Sequence, residues 1–159
     1  MNLLTAFFAG LVVYLFQDTI IRVVALAVWM PVIAGMGGNA GTQALAVTVR
    51  RLALRQVPRR GAPGVIAKEV LVGAVNGLAN GVVVACVAAL LGGDVRLGAV
   101  VLLAMWGNLV VAGFAGAFIP IMLERLGVDP AIASSIFVTT FTDVCGFLLL
   151  LGLGTTLLR

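Results

Sequence analysis

The sequence predicts an all-α integral membrane protein with five transmembrane helices per subunit and a cytoplasmic N-terminus. Three observations predict it. Of 159 residues, 62% are hydrophobic and 10% are charged, with a mean hydropathy of +1.22; a soluble domain carries about a quarter charged residues. The apolar residues gather into five runs, most of them as long as the ~20 residues a bilayer crossing needs. Six of the ten Lys and Arg residues lie in one stretch, Arg50 to Lys68, the asymmetry that sets topology.

The first segment runs from Asn2 to Phe16 and stops at Gln17-Asp18-Thr19. At 1.5 Å per residue it reaches only ~22 Å, short of a ~30 Å hydrocarbon core. That shortness predicts a chain cut from something longer, or a Met1 end buried where the bilayer thins. The N-terminus lacks the positive region of a cleavable signal peptide.

The second segment, Val23 to Val49, contains Pro31 and the run Gly35-Met36-Gly37-Gly38-Asn39-Ala40-Gly41. These residues loosen a helix and predict a break with freed carbonyls, tolerated where backbone lines a cavity or packs on protein. The basic loop Arg50–Lys68 follows, with Pro58 and Pro63 as breakers, and is placed inside. Segment three, Val70 to Leu91, carries a Gly73-Gly77-Gly81 ladder, with Asn76 and Asn80 one helical turn apart. Segment four, Leu97 to Leu123, carries Asn108, Gly113, Gly116 and Pro120. The turn Glu124–Pro130 leads to segment five, Ala131 to Leu158. Seven basic residues then lie inside, against Arg22, Arg96 and Arg159 outside.

Composition narrows the chemistry. The chain has no His, which removes the commonest transition-metal ligand and pH switch. Cys86 and Cys145 sit in apolar runs and read as small core residues. The net charge of +4 reads as topology, not as nucleic-acid binding. No nucleotide-binding loop or nucleophile–base pair is present. The Arg cluster also suits anionic lipid headgroups.

Asp143 is the one acid inside segment five. A carboxylate at mid-bilayer costs about 2.5–3.5 kcal/mol on the lenient insertion scale, so it faces protein, water or a cation. Ser135, Thr139, Asp143 and Gly146 recur at three- and four-residue steps and share one helix face, as a pore-lining stripe would. The plain alternative is an Asp satisfied by a neighbouring Asn or Thr. Gly35, Asn39, Thr42 and Ala46 share a face of segment two, for which a close small-residue helix crossing is the alternative. Counted from the cytoplasmic edge, Asn39 lies ~15 Å deep and Asp143 ~18 Å deep. A carboxylate, an amide and freed carbonyls at one level form an all-oxygen site suited to a hard cation such as Mg²⁺, held through its water shell. Asn76, Asn80 and Asn108 read as interhelical hydrogen-bonding residues.

Two stretches carry a family likeness. Met30-Pro31-Val32 with Gly35-Met36-Gly37-Gly38-Asn39-Ala40-Gly41-Thr42-Gln43 resembles a signature of the MgtE magnesium channels. So does Asp129-Pro130-Ala131 leading to Thr139-Thr140, Thr142-Asp143-Val144 and Gly146-Phe147. The resemblance implies a homodimer with its pore at the dimer axis, formed by the second and fifth helices of both subunits. It implies Asp143 as the acid that binds hydrated Mg²⁺, with Asn39 and the kink at Gly35 and Gly38 as the wall and Thr139 facing the pore. Some members have Asn-Pro where this chain has Ser135-Ile136. Members also carry a cytoplasmic N-terminal domain and paired CBS modules that sense Mg²⁺. Nothing here precedes Asn2 but Met1, so an excised transmembrane domain or a sensor-less relative is expected.

The expectation is therefore a multi-pass protein of the plasma (inner) membrane that conducts Mg²⁺ inward. No second buried acid is evident for proton coupling, which favours a channel over an antiporter. Two rivals stand: a transporter of Mn²⁺ or Co²⁺, and a membrane scaffold that transports nothing.

Overall fold

Asn2–Leu15, Gln17–Arg22, Ala25–Ala53, Ala62–Gly92, Val95–Arg125 and Pro130–Leu157 are helices, here α1 to α6, in a computed structural model that describes residues 2–57, 61–92 and 94–158. Pro58, Arg59, Arg60 and Arg159 of the sequence reading lie outside the described residues. By length and composition, α4, α5 and most of α6 are each able to cross a membrane, and α1 is apolar but short. The 29 residues of α3 reach about 43 Å, with a more polar composition.

Side-chain caps fix two of the starts. The Asp94 carboxylate accepts from the Arg96 N–H at 2.8 Å and opens α5. Asp129 accepts from the Ala131 N–H at 2.9 Å, with Pro130 in the first turn of α6. Both arrangements satisfy N–H groups that a helix start leaves unpaired. Gly127, at φ +75°, ends α5 in the left-handed region, where glycine carries no Cβ penalty.

Three sequence expectations need correction. Gln17–Arg22 is a short helix, not a turn, and Thr19 and Thr155 share a 2.8 Å hydroxyl–hydroxyl bond that ties it to α6. The second segment is not broken: α3 is helical through Pro31 and every glycine of the 35–41 run. A proline removes one helical hydrogen bond, and in apolar surroundings the remaining backbone groups keep theirs because no water competes. The basic loop is also shorter than expected. Helix α3 continues past Val49 through Arg50 and Arg51, and α4 starts at Ala62, with Pro63 in the first turn, where a missing N–H costs nothing.

Glycines set the close crossings. On α4, a Cβ at Gly77 would stand 3.0 Å from the Trp106 carbonyl oxygen, and one at Gly81 3.2 Å from that of Leu102. Gly73 and Gly113 lie closer still, against the carbonyl oxygens of Leu109 and Glu69. The expected ladder thus seats α4 antiparallel on α5, backbone to backbone. Close approach of this kind supplies the packing that joins helices in lipid, where hydrophobicity gives no preference for protein over acyl chains. Gly116 of α5 does the same for α3: a Cβ there would stand 2.6 Å from the Gly41 carbonyl oxygen. The centre holds Leu26, Ile33, Met105, Leu109, Leu150 and Leu151, all essentially without exposure.

Helix directions alternate. Helix α3 runs parallel to α5, because Gly37 meets Asn108 and Gly41 meets Ala112 and Gly116. Helix α6 is antiparallel to both. Helix α1 borders an apolar groove of about 340 Å³ where Phe8 joins Met122 of α5 and Phe137, Phe141 and Val144 of α6. Cys86 is exposed on α4, not a core residue, and both cysteines are free.

Candidate functional site

Helices α3 and α6 pair along their length in a register that four contacts define. Leu26 meets Gly154, Ile33 meets Gly146, Gly38 meets Thr139, and Gly41 meets Val138 and Thr142. Asp143 lies between Gly146 and Thr139 in sequence, so it stands level with the turn of α3 around Gly35. Asn39 stands level with Thr139, one turn away.

Each helix turns a small-residue face inward and a polar face outward. On α6, Val138, Thr142, Gly146 and Leu150 are buried, while Ser135 is exposed and Thr139 and Asp143 are half-buried. On α3, Gly37, Gly41 and Ala44 are buried. Gly35 and Asn39 are exposed, and Gly38 and Thr42 are half-buried. Gly35 has nothing within 4 Å of its Cβ position, and at Gly38 the nearest atom is the Thr139 methyl at 4.0 Å. The two polar stripes therefore border one open face of the chain. Gly146 is the member of the sequence-derived set that lies inside, one turn behind Asp143, against Ile33 and Asn108.

The donors on this face are turned back onto their own helices. The Thr139 hydroxyl donates to the Ser135 carbonyl at 3.0 Å, and Thr42 donates to the Gly38 carbonyl at 2.9 Å. Their oxygen lone pairs remain able to accept. Asp143 makes no hydrogen bond or ion pair with any described residue. Among the described residues no three His, Cys, Asp or Glu side chains stand together. The arrangement offers one carboxylate and a set of neutral oxygens, too few anionic ligands to strip a divalent ion. It suits an ion that keeps its own water.

Asn108 is buried completely and donates through Nδ2 to the Ile33 carbonyl oxygen at 2.9 Å, joining α5 to α3. Its interhelical role matches the sequence expectation. Asn80 does not: it donates to the Asn76 carbonyl, on its own helix, at 2.8 Å. One further expectation fails. A second buried acid exists, Glu69 at 6% exposure, 3.7 Å from Arg51. Sequence reasoning missed it because it lies at the seam between the basic loop and an apolar run. The signal available was an acid at the first turns of α4 facing the basic end of α3.

Comparison with known proteins identifies the family. The MgtE family profile, described as a divalent cation transporter, matches residues 30–153. The magnesium transporter MgtE of Bacillus subtilis is 35% identical over 151 residues, which cover 95% of this chain and 34% of that protein. The Enterococcus faecalis magnesium transporter MgtE is 39% identical over 134 residues, covering 84% and 30%. That of Thermus thermophilus is 36% identical over 148 residues, covering 91% and 32%. The chain spans about a third of the length of the curated relatives it matches. With its apolar helices and this match across most of its length, the chain is a multi-pass membrane protein that belongs to the MgtE family.

Proposed function

We propose that this chain forms the ion pathway of a Mg²⁺ channel, in which Asp143 binds the hydrated ion and the chain works as a homodimer in the plasma membrane. The observation that carries this reading is a carboxylate on a membrane helix, half-open and unpaired by any described residue. It stands level with the exposed Gly35 turn and one turn from the exposed Asn39. An acid in such a place costs several kcal/mol unless it meets water, a cation or protein.

The open face is half of a pathway. A second copy related by a two-fold axis would supply the other half, and two copies of Asp143 would then face each other. Their repulsion when empty favours a divalent ion between them. Asn39, Thr42, Ser135 and Thr139 would accept from or donate to the ion's water, while Gly35 and Gly38 leave room for it. Gly146 backs this wall from inside. Mg²⁺ sheds water reluctantly, so binding through a water shell keeps release fast. A dication gains about 4.6 kcal/mol on crossing 100 mV inward, at ~2.3 kcal/mol per charge. That drive needs no coupled ion, and the one further buried acid, Glu69, is paired with Arg51.

Alternating helix directions support five crossings, with α1 entering from the cytoplasm and Arg50–Lys68 inside. Cytoplasmic sensor domains are the partners expected for a chain that spans a third of its relatives. Mn²⁺ and Co²⁺ are candidate further cargoes. The test is growth and Mg²⁺ uptake in a magnesium-auxotrophic strain. Asp143→Ala and Asp143→Asn should both abolish rescue while reaching the membrane in normal amount. Uptake like that of the unchanged protein from both variants removes Asp143 from the mechanism, and flux that excess Mg²⁺ does not compete would point to a different ion.

A further inference from the structure

We infer that Asn108 is a positioning residue for ion binding: it holds the Gly35–Asn39 turn of α3 at a fixed height against Asp143 of α6. This rests on the proposed role of Asp143 and goes beyond it, because Asn108 lies on α5, inside the protein.

The Asn108 side chain is enclosed from both sides. A Cβ at Gly37 of α3 would overlap its Nδ2, and a Cβ at Gly146 of α6 would come within 2.7 Å of the same atom. One carboxamide thus fills the notch that two glycines leave between α3 and α6. Gly37 is two residues from Gly35 and two from Asn39. Gly146 is three residues from Asp143. The amide therefore touches both halves of the site without reaching its open face.

Its hydrogen bonding is more than gap-filling. Nδ2 donates to the Ile33 carbonyl oxygen at 2.9 Å, the acceptor to which α-helical geometry also directs the Gly37 N–H. Asn108 thereby grips the turn of α3 that leads into Gly35, two residues past Pro31, whose missing N–H leaves the Ala27 carbonyl, one turn earlier, without its helical donor. Its Oδ1 is buried with no hydrogen-bond partner among the described residues. A leucine of similar size would fill this space without that cost. An amide kept at such a cost is explained by the grip on Ile33. Without it, the glycine-rich turn is free to shift along α6, and the oxygens around the hydrated ion lose their common level.

The experiment compares Mg²⁺ flux into proteoliposomes for the unchanged chain, Asn108→Leu, Gly37→Ala and Asp143→Asn. Each is read as a half-saturating Mg²⁺ concentration and a maximal rate. Asn108→Leu removes the donor at similar volume, and Gly37→Ala pushes the amide off Ile33 while leaving Asn108 in place. Both should raise the half-saturating concentration by roughly threefold to thirtyfold, with a smaller change in maximal rate. Asn108→Leu should keep a melting temperature close to that of the unchanged chain, and Gly37→Ala, whose methyl displaces a buried amide, should lower it. A folded Asn108→Leu with unchanged half-saturation overturns the inference, as does a fall in maximal rate alone. Failure of both variants to fold would make Asn108 a folding residue and overturn it too. Normal flux from Asp143→Asn would instead sink the reading of Asp143, whatever Asn108 does.

Discussion

Arg51 near the end of α3 and Glu69 in the first turns of α4 approach to 3.7 Å, with the Glu69 side chain 8% exposed and that of Arg51 25%. The pair closes the gap between two helices that otherwise touch little, at the end of the bundle where the basic residues gather. Removing one partner of a fully buried pair costs about 3–5 kcal/mol, and a partly exposed one far less. Glu69→Ala should therefore cost about 1–2 kcal/mol in unfolding from mixed micelles. A double-mutant cycle with Arg51→Gln should return a coupling of roughly 0.5–1 kcal/mol; zero coupling would make the contact incidental.

The glycines divide into two groups with opposite expected effects. Gly73 and Gly113 meet backbone carbonyls of the facing helix, which cannot step aside. Their change to Ala should cost about 1–3 kcal/mol or more, as overpacking does. Gly10 of α1 has nothing within 4 Å of its Cβ position, so Gly10→Ala should gain about 0.5–1 kcal/mol from helix propensity. Thermal melts in one detergent compare all three.

Gly35 separates stability from transport. Its Cβ position is empty to 4 Å, so Gly35→Ala should leave the melting temperature unchanged or slightly higher. If Gly35 lines the pathway, the added methyl narrows it, and Mg²⁺ uptake should fall although the protein is intact. Full uptake would place the ion elsewhere.

Arg55 follows α3 at φ +55°. The Gln56 N–H then bonds the Arg51 carbonyl at 2.9 Å, as in a helix stop usually made by glycine. A side chain in the left-handed region costs about 1–2 kcal/mol. Arg55→Gly should recover up to about 1 kcal/mol after its greater unfolded-state entropy, read as a rise in melting temperature.

Much of this was legible in the chain itself. The apolar runs Leu97–Leu123 and Ala131–Leu158 placed α5 and α6 to within a few residues, and the Asp94 and Asp129 caps fix their starts locally. The Gly73-Gly77-Gly81 ladder announced its crossing, since glycines at four-residue spacing leave a flat helix face. The Gly35–Gly41 run was harder. Glycine both loosens a helix and lets one approach, and only the partner decides which; here Gly37 meets Asn108 and Gly41 meets Val138. Asp143, Thr139 and Ser135 share an open face as their spacing implied. Gly146 is buried although its helical phase falls between those of Ser135 and Thr139, because at its height Asn108 of α5 and Ile33 of α3 pack against that side of α6. Nothing in the sequence says that Asn108 reaches across to Ile33 while Asn80 bonds its own helix. An amide in an apolar run has both choices, and tertiary packing selects between them.

The central claim is most directly tested by ion density. Crystals of the membrane-embedded chain soaked in Mn²⁺, read by anomalous scattering, and in Mg²⁺, should show an ion on the two-fold axis level with Asp143. It should lie about 4–5 Å from the carboxylate oxygens, with water between, as an ion that keeps its shell requires. A dry, ion-free Asp143 bonded to a neighbour within its own subunit would contradict the account.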